Sequence, residues 1–164
     1  MKISIVRPQI SHAQDISTIC ATGWKQTVQG KLSERYQKQN IQFWYSFDRI
    51  SSDIHKGIYS HVALVNNNVV GTIGGGTTAT NVGEIFVLYV DETYRYSGIG
   101  KQLLEAFSNE QRNIGVVEQW VSVQEGNKYG IPFYEARGFL YQEKKTTILE
   151  TGEKQVSLRY KRKI

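Results

Sequence analysis

The stretch GEIFVLYVDETYRYSGIGKQLLEAF, residues 83–107, decides the reading of this chain. Its first eight residues form a nearly unbroken apolar run, as expected of a central strand covered on both faces. Residues 98–114 then place Ile99, Leu103, Leu104 and Phe107 on one helical face, with Gly115 as the stop. Between strand and helix lies Arg95-Tyr96-Ser97-Gly98-Ile99-Gly100. Two glycines permit close backbone approach to a ligand, and a helix that starts here turns free N–H groups and its positive dipole end outward. A phosphate group suits such a site. The dipole supplies only about 0.3–1 kcal/mol, so several aligned donors, with Arg95 and Lys101 beside them, would carry the affinity.

Other loop chemistries fail residue by residue. A dinucleotide-binding loop needs glycine or alanine where Leu103 stands, and a phosphate-binding Walker loop needs glycine at Arg95 and Ser or Thr at Gln102. A nucleophile elbow also needs glycine at Arg95, and His12, His55 and His61 lack zinc-ligand spacing.

Outward from this segment, strands are expected over residues 2–6, 61–65, 69–73, 116–123 and 139–148. Asn66-Asn67-Asn68 joins the second and third as a hairpin, because asparagine tolerates left-handed backbone. A glycine stretch, Gly74-Gly75-Gly76, leads to the central strand. After a turn at Thr151-Gly152, Val156, Leu158 and Tyr160 alternate with polar residues to finish the sheet. Ser11 opens a capping-box pattern before a helix from Ala13 toward Trp24, with Ile16, Ile19 and Cys20 on its apolar stripe. Ser33 caps a second helix whose Tyr36, Phe43, Trp44 and Phe47 are expected to reach the core, and residues 129–136 form a short helical segment beyond the central helix. The order predicts a mixed α/β (α+β) fold with helices on both faces of the sheet.

The 164 residues fit one domain over residues 1–164, with 40% hydrophobic and 21% charged residues and two prolines excluding collagen-like and charge-dominated disordered classes. No apolar run approaches the roughly 20 residues of a membrane span, and residues 1–7 lack a secretory h-region, so a cytoplasmic protein without a membrane partner is expected. Cys20 reads as a small core residue. The excess of 20 basic over 15 acidic residues gives a formal charge of +5. Its one dense run, Lys161-Arg162-Lys163, lacks the interleaved aromatics of a nucleic-acid surface, so no nucleic-acid partner is expected.

The run LYVDETYRYSGIGKQLL, residues 88–104, resembles the Arg-x-x-Gly-x-Gly/Ala signature of the GNAT superfamily of acyl-CoA-dependent N-acetyltransferases. Downstream, Asn127 and then Phe133-Tyr134-Glu135-Ala136-Arg137-Gly138-Phe139 resemble its second signature, in the expected order and spacing. Tyr96 and Ser97 stand where the family often has glycine and a basic residue, and Pro132 sets where the helix carrying Tyr134 begins. The resemblance implies a GNAT fold: a mostly antiparallel six- to seven-stranded sheet with a V-shaped splay between the strands ending at Val90 and near Val123. It implies acetyl-CoA in that splay as acyl donor, no metal, and direct attack by a primary amine, of a small molecule or a peptide, in a ternary complex. The cofactor-binding positions would be Leu88, Tyr89 and Val90 on the strand, Arg95 beside it, and the amides of Tyr96, Ser97, Gly98, Ile99, Gly100 and Lys101 around the pyrophosphate. Asn127 would touch the pantetheine arm, and Tyr134 would offer its hydroxyl to the CoA sulfur. A homodimer through the exposed edge of the last hairpin is a further family-based expectation.

A lysine-like amine has a pKa near 10.4, so its neutral form costs about 4.6 kcal/mol at neutral pH. Glu84, on alternation sharing a face with Phe86 and Leu88, is the candidate base, directly or through water, and Tyr134 the candidate acid. Trp24, Tyr36, Trp44 and Tyr45 lie in helices that line the acceptor side in this family, and none is assigned. A catalytically silent acyl-CoA-binding sensor or interaction module is the alternative reading.

Overall fold

The computed structural model describes residues 1–164. The chain runs β1 (Ser4–Val6), α1 (Ala13–Val28), α2 (Glu34–Tyr45), α3 (Phe47–His55), β2 (Tyr59–Val65), β3 (Asn68–Ala79) and β4 (Val82–Val90). It continues with α4 (Ile99–Asn113), β5 (Glu118–Gln124), α5 (Gly130–Glu135), β6 (Leu140–Ile148) and β7 (Lys154–Lys163). The seven strands form one sheet in the order β1-β2-β3-β4-β5-β7-β6, antiparallel throughout except for β4 beside β5. No helix is long and apolar enough to cross a membrane.

Each face of the sheet carries its own core. On one, Ile99, Leu103, Leu104 and Phe107 of α4 pack with Ile73, Ile85, Val121, Val123, Tyr134 and Phe139. On the other, Ile16, Cys20, Trp24 and Val28 of α1 pack with Tyr45, Ile50, Tyr59, Val62 and Val87. Each fully buried aliphatic or aromatic side chain contributes about 1.5–3 kcal/mol against exposure, so both layers hold the central strands in place.

Parallel pairing of β4 with β5 spans only Val82↔Glu118 to Ile85↔Val121. Beyond it β5 keeps β7 as partner and β4 keeps β3, so the two strands part. A bulge accompanies the parting: Gly75 faces Ile85 and Gly74 faces Val87, which leaves Phe86 unopposed. The extra residue reverses the inward and outward alternation. Ile85, Leu88 and Val90 therefore meet the α4 layer, whereas Val87 and Tyr89 meet the α1 layer. Simple alternation groups Glu84 with Leu88; the bulge places Glu84 on the face of Val87 and Tyr89 instead.

Other expectations are also corrected. The glycine stretch lies inside β3 rather than before a new strand, and Gly75 is required there because a Cβ would overlap the Glu84 carbonyl and the Phe107 ring. The segment after Ser33 is two helices, not one, because Ser46 ends α2 with ψ of 156° and caps α3 by accepting from the Arg49 amide at 3.3 Å. Phe43, Trp44 and Phe47 are consequently exposed at 58%, 44% and 47% rather than buried. Ser11 does not cap α1; a 3₁₀ turn over Ile10–His12 precedes the helix, with the Gln9 amide donating to His12 Nδ1 at 3.0 Å. The hairpin turn forms as expected, with Asn66 and Asn67 at φ of 52° and 63°.

The α1 layer also buries titratable groups. Burial pushes the Cys20 thiol from 9.0 up to about 12 and raises the phenols of Tyr45, Tyr59 and Tyr89 above their ordinary value, as it does Tyr134 on the opposite face. These groups stay neutral when folded and ionise when unfolded. Their contribution is complete below their unfolded values and falls as pH rises past them, by up to about 1.4 kcal/mol per group per pH unit. The melting temperature should be level near neutrality and drop steeply above about pH 10; an equal midpoint on both sides of that value contradicts this linkage. Gly75→Ala should cost about 2–4 kcal/mol in denaturant melts, while Gly76→Ala, whose Cβ would meet only the Phe86 ring at 3.6 Å, should be nearly neutral. Equal losses would contradict the packing described.

Candidate active site

The splay opens into a cavity of about 1260 Å³ reached by β4, β5, α1, α2, α5 and the head of α4. Its strand wall follows from the ladder. Asp91 donates its amide to Val70 at 2.8 Å, so strand alternation turns the backbone of Tyr89 to β3 and that of Leu88 and Val90 into the splay. Tyr89, the third strand position expected to bind cofactor, lines the cavity but has its backbone committed to β3. Its ring packs edge-on to Tyr45, with centroids 6.5 Å apart.

The loop before α4 is built to leave its amides open. Tyr96 has φ of 62° and Gly98 φ of 81°, two left-handed turns that fold the backbone around one point. The first helical bond of α4 is Gln102 N–H to the Gly98 carbonyl at 3.1 Å, and no side chain caps this end. The amides of residues 96–101 have no acceptor within the protein. Three other helix starts have side-chain acceptors: Ser33 and Ser46 cap α2 and α3, and Asn127 Oδ1 accepts from Gly130 and Tyr129 at 2.9 and 3.1 Å before α5. Six open donors at a dipole's positive end form an anion cradle. Gly100 is needed for contact as well as approach, since a Cβ there would lie 3.1 Å from the Phe133 ring. Tyr96, 93% exposed, holds a left-handed backbone conformation that glycine adopts without strain.

Several cationic groups line the cavity. The Arg95 guanidinium donates to Gln26 Oε1 at 2.6 Å and lies 4.1 Å from the Tyr129 ring centroid, which fixes it between α1 and the α5 loop. Lys31, Lys101 and Lys128 line the same cavity.

Tyr134 lies one turn along α5, with Phe133 and Phe139 edge-on at 5.2 Å on either side, and it lines the cavity. Burial raises its phenol, which keeps the proton on oxygen. Pro132 sits in the first turn of α5, where its missing amide breaks no helical bond. Asn127 lines the cavity too, although its carbonyl oxygen is committed to the start of α5.

At the narrow end, Glu84 is bound on both oxygens by Arg159, at 2.9 and 3.0 Å. Arg159 escapes notice in the sequence, where its only signal is its place on the polar side of the last alternating strand. The far wall holds Trp24, Tyr36, Trp44, Tyr45 and Tyr59 with Asp53. Thus the four aromatics without an assigned role all reach the cavity, Trp24 and Tyr45 as buried side chains and Trp44 at the rim.

These features agree with known proteins. A spermidine N(1)-acetyltransferase of Thermoplasma acidophilum is 26% identical over 148 residues, covering 87% of this chain and 91% of its own. A [ribosomal protein bS18]-alanine N-acetyltransferase of Escherichia coli is 28% identical over 81 residues, or 49% of this chain and 55% of its own. The crystal structure of PaiA N-acetyltransferase from Thermoplasma acidophilum in complex with coenzyme A superposes with a TM-score of 0.82 at 24% identity, covering both chains completely. The acetyltransferase (GNAT) family profile matches residues 23–139, and the chain therefore belongs to the acetyltransferase (GNAT) family.

Proposed function

We propose that this protein transfers an acetyl group from acetyl-CoA to a primary amine. The observation that carries this reading is the row of six open amides at residues 96–101, at the mouth of a splay whose strand wall offers the free backbone of Leu88 and Val90. Pyrophosphate fits that row, and Arg95, Lys101 and Lys128 add positive charge beside it. Acetyl-CoA supplies an activated thioester.

The chain's own residues position and move protons. Leu88 and Val90 present backbone groups for an amide-bearing arm and a carbonyl oxygen, and the amide nitrogen of Asn127 is free for the same arm. Tyr134, held neutral by its apolar surroundings, donates a hydrogen bond to the departing sulfur. Each Glu84 oxygen keeps a second lone pair beside its bond from Arg159, so Glu84 takes the acceptor's proton through a water.

The relatives suggest two acceptor classes, a polyamine such as spermidine or an alanine of a protein such as ribosomal protein bS18. The aromatic walls favour an organic cation of either kind, because Glu84 and Asp53 are already paired with Arg159 and Arg49. The same reading takes residues 1–164 as one catalytic unit working in the cytoplasm. A homodimer would pair through β6, an edge strand exposed along its whole length.

Calorimetry with acetyl-CoA, followed by free-thiol release over a panel of amines, tests the proposal. Binding with amine-stimulated thiol release supports it; binding without release by any amine favours a silent acyl-CoA-binding module. Glu84→Gln should lower kcat by about 10²-fold or more and Tyr134→Phe by less, with acetyl-CoA affinity intact in both. Equal or reversed losses would contradict these proton roles.

A further inference from the structure

Arg159 lies on β7, outside both sequence signatures, and reaches past β5 to β4. Its Nη1 donates to Glu84 Oε2 at 2.9 Å and to Ser122 Oγ at 2.7 Å, while Nη2 donates to Glu84 Oε1 at 3.0 Å. Its Cζ stands 4.9 Å from the Trp120 ring centroid. The Arg159 and Glu84 side chains are only 19% and 18% exposed. Contacts from both arms of the splay thus hold one guanidinium beside Ile85↔Val121, where the β4–β5 ladder ends. A planar fork matching a carboxylate on two bonds fixes direction as well as distance, which a lysine ammonium does not.

The pairing also changes what an incoming nitrogen meets. An uncompensated carboxylate at low exposure stabilises an ammonium and so opposes loss of the proton that must leave before attack. A cation bound to that carboxylate cancels this effect while leaving lone pairs free to accept hydrogen bonds. Of the cations on this side, Arg159 alone is bonded to Glu84; Lys161 is paired with Glu118 at 3.1 Å, and Lys145 lines the cavity from β6 with no bond to Glu84.

We propose that Arg159 is a positioning residue for acetyl transfer: it aims Glu84 at the narrow end of the splay and cancels its charge, so the acceptor reacts as a free amine instead of being held as an ammonium ion. This rests on Glu84 acting as the base in that transfer. Arg159 acts through Glu84 and touches neither substrate.

Steady-state kinetics of Glu84→Gln, Arg159→Gln, Arg159→Lys and the Glu84→Gln/Arg159→Gln pair, with acetyl-CoA calorimetry and a thermal melt on each, test the assignment. Arg159→Gln should lower kcat by about tenfold or more and lower the acceptor KM severalfold, because a bare Glu84 binds the ammonium more tightly without helping it react. Arg159→Lys keeps the charge and loses the fork, so kcat should fall with the acceptor KM unchanged; this variant also serves if Arg159→Gln folds poorly. The double variant should match Glu84→Gln alone in kcat, with acetyl-CoA affinity unchanged throughout. Full kcat in Arg159→Gln, or losses that multiply in the double variant, overturns the proposal. Wild-type turnover in Glu84→Gln overturns the reading of Glu84 itself, whereas a defective Glu84→Gln beside a fully active Arg159→Gln removes only the part assigned to Arg159.

Discussion

The parallel ladder between β4 and β5 stops after Ile85↔Val121, and the site depends on that interruption. Backbone groups in a sheet interior normally find partners on both sides, and an unpaired edge buried between layers is costly. Here β4 keeps β3 on one side and loses its neighbour on the other, so Leu88 and Val90 present unused donors and acceptors to a cavity. The bulge at Phe86 sits at the branch point, where an added residue bends the strand. A ligand that carries amides can complete such an edge as another strand would.

Two cores hold the gap open. The α4 layer anchors the arm of the splay through Ile99, Leu103 and Leu104, which also places the head of α4 at the cavity mouth. The α1 layer supports the other side through Trp24, Tyr45 and Tyr89. The open amides follow from the same arrangement: Tyr96 and Gly98 in left-handed conformations turn the chain sharply enough to start α4 without a capping side chain. Gly100 then allows α4 to approach Phe133 of α5. Burial, turn geometry and binding chemistry are thereby met by one short stretch of sequence.

What can be read from sequence is local in origin. The spacing of Gly98 and Gly100 before an apolar helical face, and the Asn127 to Phe139 signature, depend on neighbours within a few turns, and the structure brings Gly98, Gly100, Asn127, Phe133 and Tyr134 to one cavity. The face occupied by Glu84 cannot be read, because it depends on a bulge defined by β3, and a single added residue reverses the alternation. Arg159 is hidden for a similar reason: its partner lies 75 residues away, and the contact exists only in the register of β7 on β5. Phe43, Trp44 and Phe47 mislead because apolar spacing carries no information about a break at Ser46, whose extended backbone turns α3 away from the line of α2.

In the acetyl transfer proposed here, the main-chain N–H groups of residues 96–101 donate to the pyrophosphate of the acyl donor. Amide proton NMR during titration with coenzyme A tests it most directly. Such donation requires large downfield shifts and slowed hydrogen exchange at these six amides, with smaller changes at the capped starts of α2 and α3. Saturable coenzyme A binding that leaves all six resonances and their exchange rates unchanged would contradict it.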